Sequence, residues 1–188
     1  MNLERLKDIK VILTDVDGVL TDGKIRLVGS GLEIKEFNCR ESKTLVGLLG
    51  QVGVSVSMVT GRISPATDRR AKEMGIECYP KSDIVKYKDG ICGYRAFIRD
   101  YFQCSLHEVL YIGDDMSDLY FMAGSGVKVC PFDALPEVVQ IADIVTKARG
   151  GEGVLAEVAR LVINAHGPDA WNTMIVEMTR SPLPDFKN

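Results

Sequence analysis

The chain has 188 residues, 46% of them hydrophobic, which suits one compact domain with a full core. A net charge of −3 gives no general attraction to nucleic acid or an anionic membrane surface, so a small molecule is the expected partner. No apolar run approaches the roughly 20 residues of a membrane span, and the opening MNLERLKDIK lacks a signal-like apolar stretch; a cytoplasmic protein is expected.

Residues 10–15, KVILTD, form an apolar, β-branched run that stops at the turn-forming string DVDG, as a buried strand does. GKIRLVGSGLEIKEFN, residues 23–38, reads as two short strands around a Gly-Ser-Gly centre, a β-hairpin flap projecting from the sheet. A helix over about 42–52 precedes a second apolar strand, VGVSVSMVTGR, ending in Thr60 and Gly61. Ser64 and Pro65 are suited to start the next helix and Gly75 to stop it. EVLYIGDD is a third strand, followed by a helix over about 115–124 and by shorter strands at VKVC and ADIVT. From Glu152 to Ala165, Leu155, Val158, Leu161, Val162 and Ala165 recur at helical spacing.

Strands alternating with helices predict an α/β fold, a doubly wound, mainly parallel sheet with right-handed crossovers. The domain is expected over residues 1–166. The tail, 167–188, carries Trp171, Met174, Ile175, Val176 and Met178 and is expected to dock on something, such as a neighbouring subunit. Cys39, Cys78, Cys92, Cys104 and Cys130 are odd in number and lack CxxC spacing, as expected of reduced thiols.

Three polar clusters, DVDG at Asp15, TGR at Thr60 and GDDMSD at Gly113, fall where apolar strands end. In an open parallel sheet those ends share one crevice, where ligands bind. Asp15, Asp17, Asp114, Asp115 and Asp118 would then crowd into one volume, and a hard cation is the economical way to hold them together. Magnesium would take Asp15 and Asp114 directly, with the Asp17 carbonyl. A carboxylate approaching a phosphate meets a repulsion of about 4 kcal/mol per charge pair at about 4 Å and an effective dielectric near 20, which the cation and a lysine must offset. Thr60 and the Gly61 amide can hydrogen-bond equatorial phosphate oxygens, and Asp17 can act first as acid and then as base.

DVDGVLTDG, TGR and GDDMSD in this order resemble the signature of the haloacid dehalogenase superfamily, and more narrowly of its 3-deoxy-D-manno-octulosonate 8-phosphate (KDO 8-phosphate) phosphatases. FNCR at Phe37–Arg40, RRAKEMGI, and RGGEG at Arg149–Gly153 are similar to that family's pattern, so the likeness spans about residues 8–165. It implies a homotetramer without a cap domain, in which hairpin and tail help close a neighbour's site. It also implies Asp15 as nucleophile, Asp17 as acid/base, Thr60 as phosphate binder, Asp114 as second metal carboxylate, and Asp118 as a support to the metal through water. Arg62 and Arg70 look like the family's substrate-contacting arginines, with Asn38 and Arg40 beside them.

The chain departs from the family in two places. RESKT follows Cys39 where an Arg-Asp-Gly string is usual, which leaves the substrate open between KDO 8-phosphate and a nine-carbon nonulosonate 9-phosphate. The motif lysine falls in IVKYKDGICGY, as Lys86 or Lys88, and ungapped counting from Arg70 favours Lys86.

Arg69 reads as part of a solvated helix face, and His107 and His166 sit where surface or capping roles are commoner than catalysis. Two other classes compete. A phosphorylation-switched receiver also gathers strand-end aspartates, but it carries its acidic pair at the first strand. A catalytically silent relative would not need an intact aspartate in every cluster.

Overall fold

A computed structural model describes residues 3–29, 32–87, 93–167 and 169–180. The sheet strands are β1 (Val11–Thr14), β4 (Ser55–Thr60), β5 (Glu77–Pro80), β6 (Val109–Ile112), β7 (Val127–Cys130) and β8 (Ile144–Val145). They form one six-stranded sheet in the order β5-β4-β1-β6-β7-β8, and every neighbouring pair is parallel. The flap is an antiparallel pair, β2 (Arg26–Val28) and β3 (Leu32–Ile34), outside that sheet.

Period-two alternation sends neighbouring strand residues to opposite faces. On one face Ile12, Leu110 and Ile112 pack with helices α1 (Lys43–Gln51), α2 (Pro65–Met74) and α7 (Val154–Ala165). On the other, Val11, Leu13, Val109 and Tyr111 meet α3 (Lys81–Lys86), α4 (Gly93–Phe97), α5 (Leu119–Gly124) and α6 (Pro136–Ile141). The capless doubly wound fold is therefore as expected, with the β2–β3 hairpin in the segment between β1 and α1.

Local signals account for most boundaries. Ser42 caps α1 by accepting from the Leu45 amide, and Ser64 caps α2 in the same way from Thr67, with Pro65 at its start. α2 stops at Gly75, which adopts a left-handed φ of 71°. Two elements differ from the expectation. β5 is a strand that periodicity does not announce, because Glu77, Cys78, Tyr79 and Pro80 form no apolar run and the strand lies at the sheet edge. The start of the tail is a helix, α8 (Ala170–Arg180), whose Trp171 and Met174 pack on the core of their own chain. Arg160 lies 5.0 Å from the Trp171 ring centre. Residues 181–188, where the rest of the expected docking tail falls, lie outside the described residues.

Candidate active site

β1 and β6 are hydrogen-bonded neighbours, so the segments that leave their C-terminal ends are adjacent. Asp15 follows β1 directly, and its amide donates to the Ile112 carbonyl at 2.8 Å. Asp114 and Asp118 come from the loop after β6. Each of the three carboxylates offers an oxygen, and these oxygens lie within 4.8 Å of one another.

Asp118, fully buried, organises this loop. One of its oxygens accepts from Tyr111 Oη at 2.8 Å and from Lys81 Nζ at 2.8 Å; the other accepts the amides of Asp114 and Asp115 at 3.1 and 3.2 Å. Lys81 also reaches Asp15 Oδ2 at 3.1 Å and donates to Ser117 Oγ at 2.9 Å. Lys81, not Lys86, is thus the lysine that stands against Asp15. It occupies the first position of α3, directly at the tip of β5, whereas Lys86 is exposed in the last turn, about 7 Å farther along the helix axis. Lys88 lies outside the described residues. A signal for Lys81 was present in the sequence: a lysine placed just after a short strand, at the same sheet edge as TGR. That signal is faint, because β5 has no apolar run to mark the strand end it follows.

The electrostatics follow from burial and crowding. Burial drives the Asp15 carboxyl well above its ordinary value, Asp118 adds to this, and Lys81 opposes it. Burial, with Asp118 and Asp115, pushes Asp114 up to about 7. Burial works to lower Lys81, but the charges of Asp15 and Asp118 outweigh it and hold the ammonium above the usual lysine value. Asp114 Oδ1 is a buried oxygen with no hydrogen-bond partner. A buried, unsatisfied acceptor is costly, and hard oxygen donors gathered at this spacing fit magnesium, which would satisfy that atom.

Two glycine contacts set the packing of this loop. Gly18, at φ +92°, lies so close to Asp114 that a Cβ there would fall 2.0 Å from Oδ2, and a Cβ on Gly150 would fall 2.1 Å from the Gly18 carbonyl oxygen. The RGG turn therefore buttresses the DVDG loop from behind, with the Gly151 amide donating to the Val19 carbonyl at 3.0 Å.

The remaining expected residues are not all directed at the acidic cluster. Thr60 is fully buried, and its hydroxyl accepts the Arg62 amide at 3.0 Å while donating to the Arg62 carbonyl at 3.2 Å. Gly61, next to it, is exposed. Arg70 donates to the carbonyls of Asn38 and Glu41, both at 2.8 Å, and so braces the FNCR loop. Asn38 donates to the Gly151 carbonyl at 3.3 Å. Arg40 is exposed and lines a groove along α7 with Lys147, Glu152 and Arg160. Asp17 is ion-paired with Lys35 at the base of the flap, and Arg62 pairs with Glu33 at 3.2 Å.

No protein-family model matches the chain. It is 32% identical over 163 residues, 87% of its length and 84% of the relative's, to the 3-deoxy-D-manno-octulosonate 8-phosphate phosphatase KdsC of Yersinia pestis. To the Haemophilus influenzae protein of the same name it is 30% identical over 164 residues, 87% of this chain and 88% of that one. A crystal structure of the Moraxella catarrhalis phosphatase, in complex with magnesium, phosphate and KDO, matches with a TM-score of 0.81 at 29% identity, covering 94% of this chain and 97% of the other.

Proposed function

The chain belongs to the KDO 8-phosphate phosphatase family of the haloacid dehalogenase superfamily, phosphoric monoester hydrolases, and from that premise we propose that it hydrolyses KDO 8-phosphate with magnesium through an aspartyl phosphate on Asp15. The observation that carries this reading is the juxtaposition of Asp15, Asp114 and Asp118 with Lys81 at neighbouring strand tips.

In this mechanism a carboxylate oxygen of Asp15 forms a bond to phosphorus as the bond to the sugar oxygen breaks. Asp17 donates the proton that the departing oxygen needs, then takes one from the water that releases phosphate and restores Asp15. Lys81 neutralises charge beside the nucleophile, and Thr60, its hydroxyl proton turned from the Arg62 carbonyl, joins the Gly61 amide in donating to the phosphoryl oxygens. Magnesium, held by Asp15, Asp114 and the Asp17 carbonyl with Asp118 behind them, would supply the positive charge that lets two anions approach. Arg62 is the arginine with an exposed side chain at this edge, suited to the sugar-acid carboxylate.

Nonulosonate 9-phosphate is the second reading, motivated by RESKT. Two residues depart from the family's Arg-Asp-Gly string: Glu41 is buried and accepts the Leu155 amide at 2.9 Å, and Ser42 caps α1, so the departure falls on braces of the loop. Phosphate release from the two substrates, measured with magnesium on purified protein, decides between them. Release from neither would sink the proposal.

We also propose a homotetramer. Its support is apolar surface left exposed on the flap, at Ile25, Leu27, Val28, Leu32 and Ile34, and on α8, at Ile175, Val176 and Met178. A light-scattering mass of one chain would remove it.

A further inference from the structure

β3 carries an inverted pattern, in which its apolar residues Leu32 and Ile34 are exposed at 63% and 42% while the charged Glu33 between them turns inward, its side chain 13% exposed. Lys35, the next residue inward along the flap stem, is more buried still, with only 2% of its side chain accessible. Its ammonium is ion-paired with Asp17 Oδ1 and lies 3.0 Å from Glu33 Oε1. Glu33 in turn receives Arg62 Nη1 at 3.2 Å, and Arg62 belongs to the turn that carries Thr60. A single chain of charges, Asp17, Lys35, Glu33 and Arg62, therefore ties the nucleophile loop to the flap and the flap to the Thr60 turn. Burying a lysine head is unfavourable unless it is paired, and here the pairing is with the carboxylate two residues beyond Asp15.

We propose that Lys35 is a positioning residue for Asp17: the flap stem uses its buried ammonium to grip one oxygen of that carboxylate, leaving the other to exchange the proton with the leaving oxygen and then with water. This deepens the acid/base reading of Asp17 given above and rests on it. A carboxylate free to rotate would meet the leaving oxygen only part of the time, and misplacement by about 1 Å costs on the order of 100-fold in rate. The role belongs to the flap stem, so one ion pair sets both the seating of the hairpin and the alignment of the acid.

A double-mutant cycle on the full-length protein with magnesium and KDO 8-phosphate tests this. Lys35→Met should lower kcat by about 10–100-fold with KM changed by less than about threefold, and Lys35→Arg should recover most of the loss. In an Asp17→Asn background, the same Lys35→Met change should alter the residual rate by less than about twofold, because the group it positions is already gone. Losses that multiply across the two backgrounds would mark Lys35 as a structural brace and overturn the proposal, as would an unchanged kcat in Lys35→Met. Full activity in Asp17→Asn would instead remove the acid/base reading itself, which separates the two failures. Melting curves of each variant keep loss of fold apart from loss of alignment.

Discussion

Lys81 holds a position that no other described cation shares: its ammonium touches both Asp15 and Asp118. Removing a preorganised charge from a dry site commonly costs about 10²–10³-fold in kcat. Lys81→Met is expected to fall in that range, measured as phosphate release at saturating substrate. Lys86→Ala, an exposed change remote from this pair, should stay within about twofold of wild type. The reverse ranking would return the role to Lys86. Asp15→Asn tests the nucleophile from the other side: it keeps the shape of the side chain, so the fold should persist while turnover stops.

At the scale of elements, legibility followed burial. β1, β4 and β6 were readable because strands covered on both faces are largely apolar, β4 through Val56, Met58 and Val59 despite its serines, and each ends abruptly at a polar turn. α2 was readable from its capping residues. β5 was not, since an edge strand with half-buried Cys78, Tyr79 and Pro80 needs no apolar run, and without that strand end nothing in the sequence sets Lys81 apart from Lys86. The acidic cluster was legible from two strand ends, those of β1 and β6, but the inward pairing of Lys35 with Asp17 was not, because a hairpin outside the sheet gives no sequence clue to which of its faces is covered. The same scale holds the next prediction. The RGG turn and the DVDG loop approach so closely that Gly150→Ala must push the Gly18 carbonyl away. Since Gly18 abuts Asp114, the displacement should reach the carboxylates proposed to hold magnesium, raising the magnesium concentration for half-maximal activity by about tenfold or more, on the scale of supporting residues around metal sites. A magnesium titration of activity checks it, and an unchanged midpoint would show that the loop yields without moving Asp114.

Across the whole molecule, three carboxyls, buried Asp15 and Glu41 and half-buried Asp114, share one electrostatic sign. Burial raises Asp15 well above its ordinary value, Asp114 to about 7 and Glu41 to about 7, the last opposed by the Leu155 amide and Arg70. A carboxyl whose folded value exceeds its unfolded one keeps a proton that the unfolded chain releases. Its contribution is complete below the unfolded value and is lost as pH rises through the folded one. Metal-free protein in a chelator should therefore melt at progressively lower temperature from pH 5 to pH 8. Asp22 and Glu108, held low by Arg26 and Lys10, stay ionised throughout that window and do not contribute to the trend. Magnesium takes the carboxylate form, so the rise in Tm it produces should grow with pH as protons cease to compete. Glu41 is outside the Asp15, Asp114 and Asp118 cluster, bonded to the start of α7, and its share should persist with magnesium present. Glu41→Gln retains an acceptor for the Leu155 amide without the charge; it should flatten the remaining slope by about 2.5 kcal/mol of stability between pH 5 and 8. Thermal melts of both proteins, with chelator and with magnesium, separate the two shares. A magnesium-induced rise in Tm equal at pH 5.5 and pH 8 would exclude Asp114 as a ligand, because a carboxyl held protonated to about pH 7 cannot bind the cation equally well on both sides of that value.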